Sequence, residues 1–479
     1  MFFPAWDGTP YDSDWLIERK AAEWTGISLH QIEGDIDRDY VRTVERLIRS
    51  GKLPDIVGGS SLRDLFNLFG PQGAFLPLDD LIEDHAPHLR HFLDERPEME
   101  KAIAAYDGHI YYIPYFPDGK YSTAYFIRQD WLDRLGLKMP QTVEEYHSVL
   151  KAFRTDDPNG NGLADEVPFY APNLEGLLRL APMWDARSSG SVQEFDFYVK
   201  GNRVVHGIAE PEYRTAMRAL AQWYREGLIN PNLHIPGGGG RDHFLRGNLS
   251  GATHDWFAST SLYNNFLPEE IPGFKLVPML PPASASGQRK EEGRRPAIDG
   301  HGWAISYLNE HPVETIRYFD FWFSPEGRRL QNFGVEGVHY DLIDGRPVFR
   351  PEVLNSEVPV NRQLWAQGAQ LPRGSHQDYA YEIQWTNEIA REGIRLYDSG
   401  DHLLDYYFRS ALNEREQGVF DLYWPDLQTY MRDRAVAWIT GEADVDAEWN
   451  AHLARLRELG LNEVTGVLNT ARWRDLYGN

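Results

Sequence analysis

The sequence predicts an α/β fold in two lobes, and three observations carry that expectation. At 479 residues the chain exceeds what one hydrophobic core usually serves. Its first third opens as helix, turn and buried strand. Tyr40, Val44, Leu47 and Ile48 share a helical face, SGK stops the helix, and Asp55–Val57 reads as the strand. Such a βαβ beginning implies a lobe with a largely parallel sheet. Strand-like and helical stretches then alternate, without internal repeats or low-complexity tracts.

The elements follow in order. Residues 1–30 give an opening strand, a loop carrying Trp6, Tyr11 and Trp15, and a helix through Ile17, Ala21 and Trp24. Asp39 is placed to cap the next helix. FLPLDDLI and a charged helix around 88–104 lead to a strand at Ile110–Ile113, then a Pro/Gly-rich rim. Tyr121–Ile127 reads as a strand, followed by the helix RQDWLDRLGL. A second helix is capped by Thr142, with Glu145 three residues on. Pro211 opens an amphipathic helix through Tyr213, Met217, Leu220, Ala221 and Tyr224 that closes at Gly227. GGGG at 237–240 is a loop, Gly302–Ser306 a strand, and Pro312 starts another helix. From Glu382 the chain is mostly helical, with Trp424, Trp438 and Trp449 as packing residues.

The stretch DPNGNGLADE, 157–166, has cation-loop chemistry. Asp157, Asn159, Asn161, Asp165 and Glu166 supply side-chain oxygens, and Leu163 sits where a backbone carbonyl ligates. A hard cation such as Ca²⁺ takes six to eight such oxygens from a short turning loop, with glycine where φ is positive. The first half matches an EF-hand start. The second does not: the twelfth position is Pro168, so Glu166 has to supply the bidentate carboxylate. The alternative is an Asn/Gly-rich turn with solvated acids.

Composition excludes several classes. The net charge of −24 argues against nucleic acid or an anionic membrane as partner. Without cysteine there is no disulfide framework, thiolate metal site or cysteine nucleophile. No apolar run is long enough to span a bilayer. The N-terminus lacks a basic region followed by an apolar one, so the chain is either cytoplasmic or numbered from after a removed export signal. No nucleophile elbow, P-loop, HExxH or dinucleotide fingerprint occurs in a supportive context. No catalytic residues are therefore assigned: with 72 acidic residues a glycosidase-type carboxylate pair can always be drawn, and His254 with Asp255 is the other pair an enzymatic reading could use.

The aromatic and polar segments fit a sugar-binding surface, where a pyranose packs its C–H face on a ring and its hydroxyls meet planar polar groups. Trp256 is the leading stacking candidate, with Tyr115, Tyr121, Trp303, Trp365, Trp385 and Tyr11 behind it. Arg187 suits a carboxylate or vicinal hydroxyls. Asp118, His254, Asp255, Asn361 and Gln363 are candidates for orienting hydroxyls.

GKLPDIVGG, GAFLPLDDLI, YFIRQDWLDRLGLKMPQ, LKAFRTDDPNGNGLADEVPF, QWYREGLI, GNLSGATHDWFAST and PVETIRYFDF resemble the extracellular solute-binding proteins of bacterial ABC importers. Within that family the chain most resembles the periplasmic alginate-binding proteins, over nearly its whole length. The resemblance implies a two-lobed α/β periplasmic binding protein fold of class II with an oligosaccharide in the cleft between lobes. Lobes are expected at 1–122 plus 302–368 and at 123–301 plus 369–479. It also implies a structural Ca²⁺ held by Asp157, Asn159, Asn161, Leu163 through its carbonyl, Asp165 and Glu166, and Trp256 as a cleft aromatic.

The function implied is capture of an alginate-like or other acidic oligosaccharide and delivery to ABC transporter permease subunits, by a periplasmic or cell-surface monomer that is not an enzyme. One departure stands out. Alginate binders carry basic residues in the first cleft loop, where this chain has FFPAWDGTPYDSDW. Lys120, Arg187, Arg362 and Arg373 are the candidates to compensate. A neutral oligosaccharide, a secreted carbohydrate-active enzyme and a glycan-sensing surface protein remain the alternatives.

Overall fold

The computed structural model describes residues 1–3, 11–32, 40–187, 196–231, 240–356, 358–371, 373–405 and 407–477. Trp6, the capping Asp39, residues 188–191 and glycines 237–239 lie outside the described residues. The strands are β1 Ile56–Gly59, β2 Ile113–Pro117, β3 Thr123–Arg128, β4 Phe169–Tyr170, β5 Phe197–Lys200, β6 Arg203–His206, β7 Ala252–Trp256, β8 Leu276–Met279, β9 Gly302–Ile305, β10 Tyr340–Ile343, β11 Arg346–Phe349 and β12 Ser375–Gln377.

They build two four-stranded sheets, ordered β1-β9-β2-β12 and β4-β7-β3-β8, and two hairpins, β5-β6 and β10-β11. The expected largely parallel pairing is corrected to a mixed one. β9 runs against β1 and β2, while β12 runs with β2. In the other sheet β3 opposes β7 and β8, and β4 runs with β7. The cause is the chain's path. β2 leaves the first sheet at the end where β9 later enters it, so the returning strand points the opposite way. β3 has the same relation to the second sheet.

Each sheet has its own core. Phe2, Val57, Phe66, Tyr112, Trp303, Phe319 and Trp322 lie in that of the first lobe. In the second, period-two alternation along β3 sends Tyr125 and Ile127 to one face and Ala124 and Phe126 to the other. The first face meets the large helical core containing Trp424, Trp438 and Trp449; the second meets a smaller cluster with Phe257, Leu276 and Tyr397. Helices at Leu16–Thr25, Tyr40–Ser50, Val143–Thr155, Pro211–Arg225 and Pro312–Phe321 fall where the sequence periodicity put them. Thr142 caps as expected: its Oγ1 accepts from the Glu145 N–H at 3.2 Å.

Three boundaries moved. The helix expected around 88–104 is two, Pro87–Asp94 and Pro97–Ile103, because Pro97 cannot continue the first. The strand read at Ile110–Ile113 begins only at Ile113, opposite Trp303, since the Ile110 carbonyl is taken by the Leu78 N–H outside the ladder. Strand β12 and the core residue Tyr381 lie in the first lobe, past the limit of 368 read from sequence.

Candidate functional site

Three segments cross between the sheets and form the cleft floor. Residues 118–122 lead from β2 to β3, and residues 293–301 lead back to β9. The third lies between β12 and the helix Glu388–Tyr397, which packs into the second lobe through Ala390 and Tyr397. The first two are zipped together. Ser122 N–H donates to the Gly293 carbonyl at 3.0 Å, and Arg295 N–H to the Lys120 carbonyl at 3.1 Å. The buried Arg295 guanidinium ties in the third, reaching Glu382 Oε2 at 2.7 Å and Gln377 Oε1 at 3.0 Å. Gly119 holds φ at +97°, and a Cβ there would press the Tyr379 ring at 2.7 Å, so this turn needs glycine.

β7 carries its last three side chains to the cleft end of the second sheet. Trp256 is 46% exposed, a large ring left in water beside a well-packed strand. Asp255 is buried behind it and accepts from Arg241 Nη2 at 2.5 Å and from the Trp256 N–H at 2.7 Å. Burial pushes the Asp255 carboxyl above its ordinary range, opposed chiefly by the Arg241 guanidinium. His254 is buried against Glu291, Nε2 to Oε2 at 2.6 Å, with its ring edge-on to Tyr125. Thr123, Asn173, Arg179, Arg241, Asp255 and Trp256 are among the residues around a pocket of ≈ 320 Å³ at this corner.

A second pocket of ≈ 600 Å³ lies along the first two crossovers, where Asp118, Lys120, Arg294, Arg295 and Asp405 meet. Asp118 is exposed and faces His376 at 3.7 Å. Arg187 is half-buried, stacked over Tyr198 at 4.8 Å, and donates to the Asp405 carbonyl. Tyr121 sits in the same crossover, but its ring is buried and its hydroxyl donates to Asp398 at 2.7 Å.

The other expected residues separate from this corner. Trp303 is not on a cleft surface: it is buried in the first core, stacked on Phe319 at 4.2 Å. Tyr11 is half-buried and donates to Glu18 at 2.7 Å. Tyr115 donates to Gln370 Oε1 at 3.1 Å. Asn361, Gln363 and Trp365 share the helix Val360–Trp365 of the first lobe. There the Gln363 amide donates to the Val353 and Val358 carbonyls, and Arg362 lies over the Trp365 ring at 5.0 Å. Trp385 ends the helix Tyr379–Trp385 at the third crossover, half-buried and edge-on to Tyr381. Arg373 does not serve the cleft; it is buried, paired with Glu18 and stacked on Trp322 at 4.0 Å.

The 157–166 loop turns as the sequence implied. φ is positive at Asp157, Gly160 and Gly162. Asp157 Oδ1 and Oδ2 accept from the Asn161 and Gly162 N–H groups at 3.1 and 3.0 Å. The Asn159 and Asn161 amides converge on Asp165, at 3.3 and 3.1 Å. Both Glu166 carboxylate oxygens are buried without a hydrogen-bond partner, and burial pushes the carboxyl above its ordinary value. A buried carboxylate with the Asp157 and Asp165 charges near it either takes up a proton or is matched by a cation. Among the described residues no three His, Cys, Asp or Glu side chains are drawn together in metal-holding geometry.

No family model matches the chain. Its fold is similar to that of the alginate-binding protein AlgQ2, solved without calcium ion. The TM-score is 0.88 at 42% identity, over 98% of this chain and 96% of that one. The chain belongs to the substrate-binding proteins of ABC transporters. By sequence it is 26% identical to the fructooligosaccharide ABC transporter substrate-binding protein FusA of Streptococcus pneumoniae, over 94% of this chain and 85% of that protein. The structure of FusA in complex with kestose has a TM-score of 0.73 at 22% identity and shares the fold.

For a substrate-binding protein, the informative residues that sequence reasoning missed are Arg179, Arg241 and Arg294. Arg241 follows the GGGG loop directly, and that position beside an aromatic strand end was the available signal. Arg179 and Arg294 carry no local signature, because the fold alone brings them to the cleft. Arg179 and Arg241 line the pocket that the exposed indole also lines, and Arg294 lines the pocket along the crossovers, in a chain of net charge −24. That arrangement can stack a sugar ring and pair its carboxylates or vicinal hydroxyls.

Proposed function

We propose that this protein captures an acidic, alginate-like oligosaccharide in the cleft between its lobes and hands it to the permease of an ABC transporter, without altering it. The observation that carries this reading is the exposed Trp256 ring flanked by Arg241 and Arg179 at one corner of the cleft. Likeness to an alginate-binding protein supports the acidic ligand. Lys120 and Arg294 on the crossovers, and Arg187 where it meets the Asp405 carbonyl, supply further positive charge, and Asp118 and Asp255 orient hydroxyls. Trp385, Trp365, Asn361 and Gln363 extend the contact surface from the first lobe. The lobes hinge at the three crossovers, with the third placed after Tyr381, so that ligand affinity for the closed form drives closure.

Asp157, Asn159, Asn161, Asp165 and Glu166 with the Leu163 carbonyl would hold one structural Ca²⁺. It would brace the segment between the helix Val143–Thr155 and β4. The unpartnered Glu166 carboxylate supports this assignment. The protein works as an exported monomer; none of the helices among its described residues is long and apolar enough to cross a membrane. Calorimetric titration with defined uronate oligosaccharides and with kestose tests the reading. Binding of uronates with no new reducing ends or unsaturated products supports it. Heat with kestose alone, or cleavage of the sugar, overturns it.

A further inference from the structure

We propose that residues 407–412 of the second lobe and the start of the helix Arg63–Phe69 in the first form a latch that holds the two lobes together by protein contacts alone. This goes beyond the choice of ligand, because none of the contacts involves a sugar-facing group named above.

The segment is a fixed part of the second lobe. Tyr407 and Leu412 are buried in its large core, and Arg474 anchors the stretch between them. Its Nη2 donates to the Ala411 carbonyl at 2.6 Å while its Nη1 pairs with Glu416 at 2.7 Å. From that base the chain reaches across. The Arg409 guanidinium pairs with the Asp64 carboxylate, and Arg63 Nη2 donates to the Arg409 carbonyl at 2.6 Å. The Arg63 guanidinium lies over the Phe408 ring at 4.0 Å, and Phe408 packs against the first lobe's core. Arg409 is held from behind, over the Phe420 ring at 4.9 Å, so its charged end is presented rather than left to wander. Leu65 and Phe66, next in the same helix, are buried in the first core, which fixes the receiving side as firmly.

Interlocked pairs differ from a lone surface ion pair. Each arginine serves two partners, so its side-chain entropy is lost once for two contacts, and a cation–π contact between guanidinium and ring is added. A movement that parts the helix Arg63–Phe69 from residues 407–412 breaks all of them together. The latch therefore biases the open–closed equilibrium toward closed, and a ligand that selects the closed form meets a protein already partly in it.

The chain has no cysteine, so labels can be placed cleanly. Glu83→Cys in the first lobe and Glu463→Cys in the second, both exposed, take spin labels for interlobe distances by electron–electron double resonance in the full chain without sugar. A short distance should dominate. Asp64→Asn with Arg409→Gln should lower the closed-to-open ratio at least about tenfold and bring up a longer component. Phe408→Ala should move it the same way, and the swapped pair Asp64→Arg with Arg409→Asp should recover the short distance. An unsubstituted chain already dominated by the long distance, or identical distributions in all variants, overturns the latch. No sugar is present, so either result leaves the ligand reading untouched.

Discussion

His254 on β7 and Glu291, just before the second crossover, meet at 2.6 Å with both side chains sealed from water. The pair rivets the cleft-bearing strand to the chain that returns to the first lobe. Glu291 also pairs by backbone with the 402–404 stretch, its N–H donating to the His402 carbonyl at 2.9 Å. One contact thus sets the depth of the strand end that carries Asp255 and Trp256.

Removing one partner of a buried hydrogen bond leaves the other unsatisfied, at a cost of about 1–3 kcal/mol. Glu291→Leu should therefore lower unfolding stability by about 1–3 kcal/mol in urea denaturation. A loss below about 0.5 kcal/mol would mean that this contact does not hold the strand end in place.

The two tryptophans should part company. Trp256→Ala should leave stability within about 0.5 kcal/mol, as exposed substitutions usually do. It should weaken uronate binding at least tenfold, about 1.4 kcal/mol. Trp303→Ala, which empties a core site, should cost about 3–5 kcal/mol of stability. Paired denaturation and titration separate them.

Calcium should stabilise the chain. At a hundredfold excess over the dissociation constant the gain is about 2.7 kcal/mol, read as a rise in melting temperature that chelator reverses. Asp157→Ala should abolish the rise. A melting curve indifferent to calcium and chelator would mean that the loop stands without the ion.

Two buried histidines make stability acid-sensitive. Burial pushes His206 down to about 3 and His452 down to about 4, from an ordinary 6.5. Both stay neutral in the fold, while the unfolded chain takes up the protons below 6.5. The unfolded state then binds more protons, so stability falls as pH drops from 6.5 toward those values. The limiting slope is about 1.4 kcal/mol per pH unit for each group. His206→Gln should flatten the stability-against-pH curve over that interval and leave it unchanged above pH 7.

Local signals made much of this molecule legible. Helix faces, the Thr142 cap and the glycine-punctuated loop at 157–166 depend on neighbours in sequence, and all were readable. Strand direction was not, because β9 and β3 take theirs from the end of the sheet at which the chain arrives. Aromatic residue type also failed to tell a core ring from an open one: Trp303 and Trp256 each lie in a strand, and rings distant in sequence, Phe319 and Tyr318, cover only the first. Arg373 looked available as a lone arginine in a loop, yet it is spent on Glu18, 355 positions away. Such pairings are invisible until the fold closes.

The order β1-β9-β2-β12 has a consequence for synthesis. A ribosome finishes β1 and β2 early, but β9 and β12 emerge only after most of the second lobe has been made. Until β9 is made, β1 and β2 lack the strand that lies between them in the finished sheet.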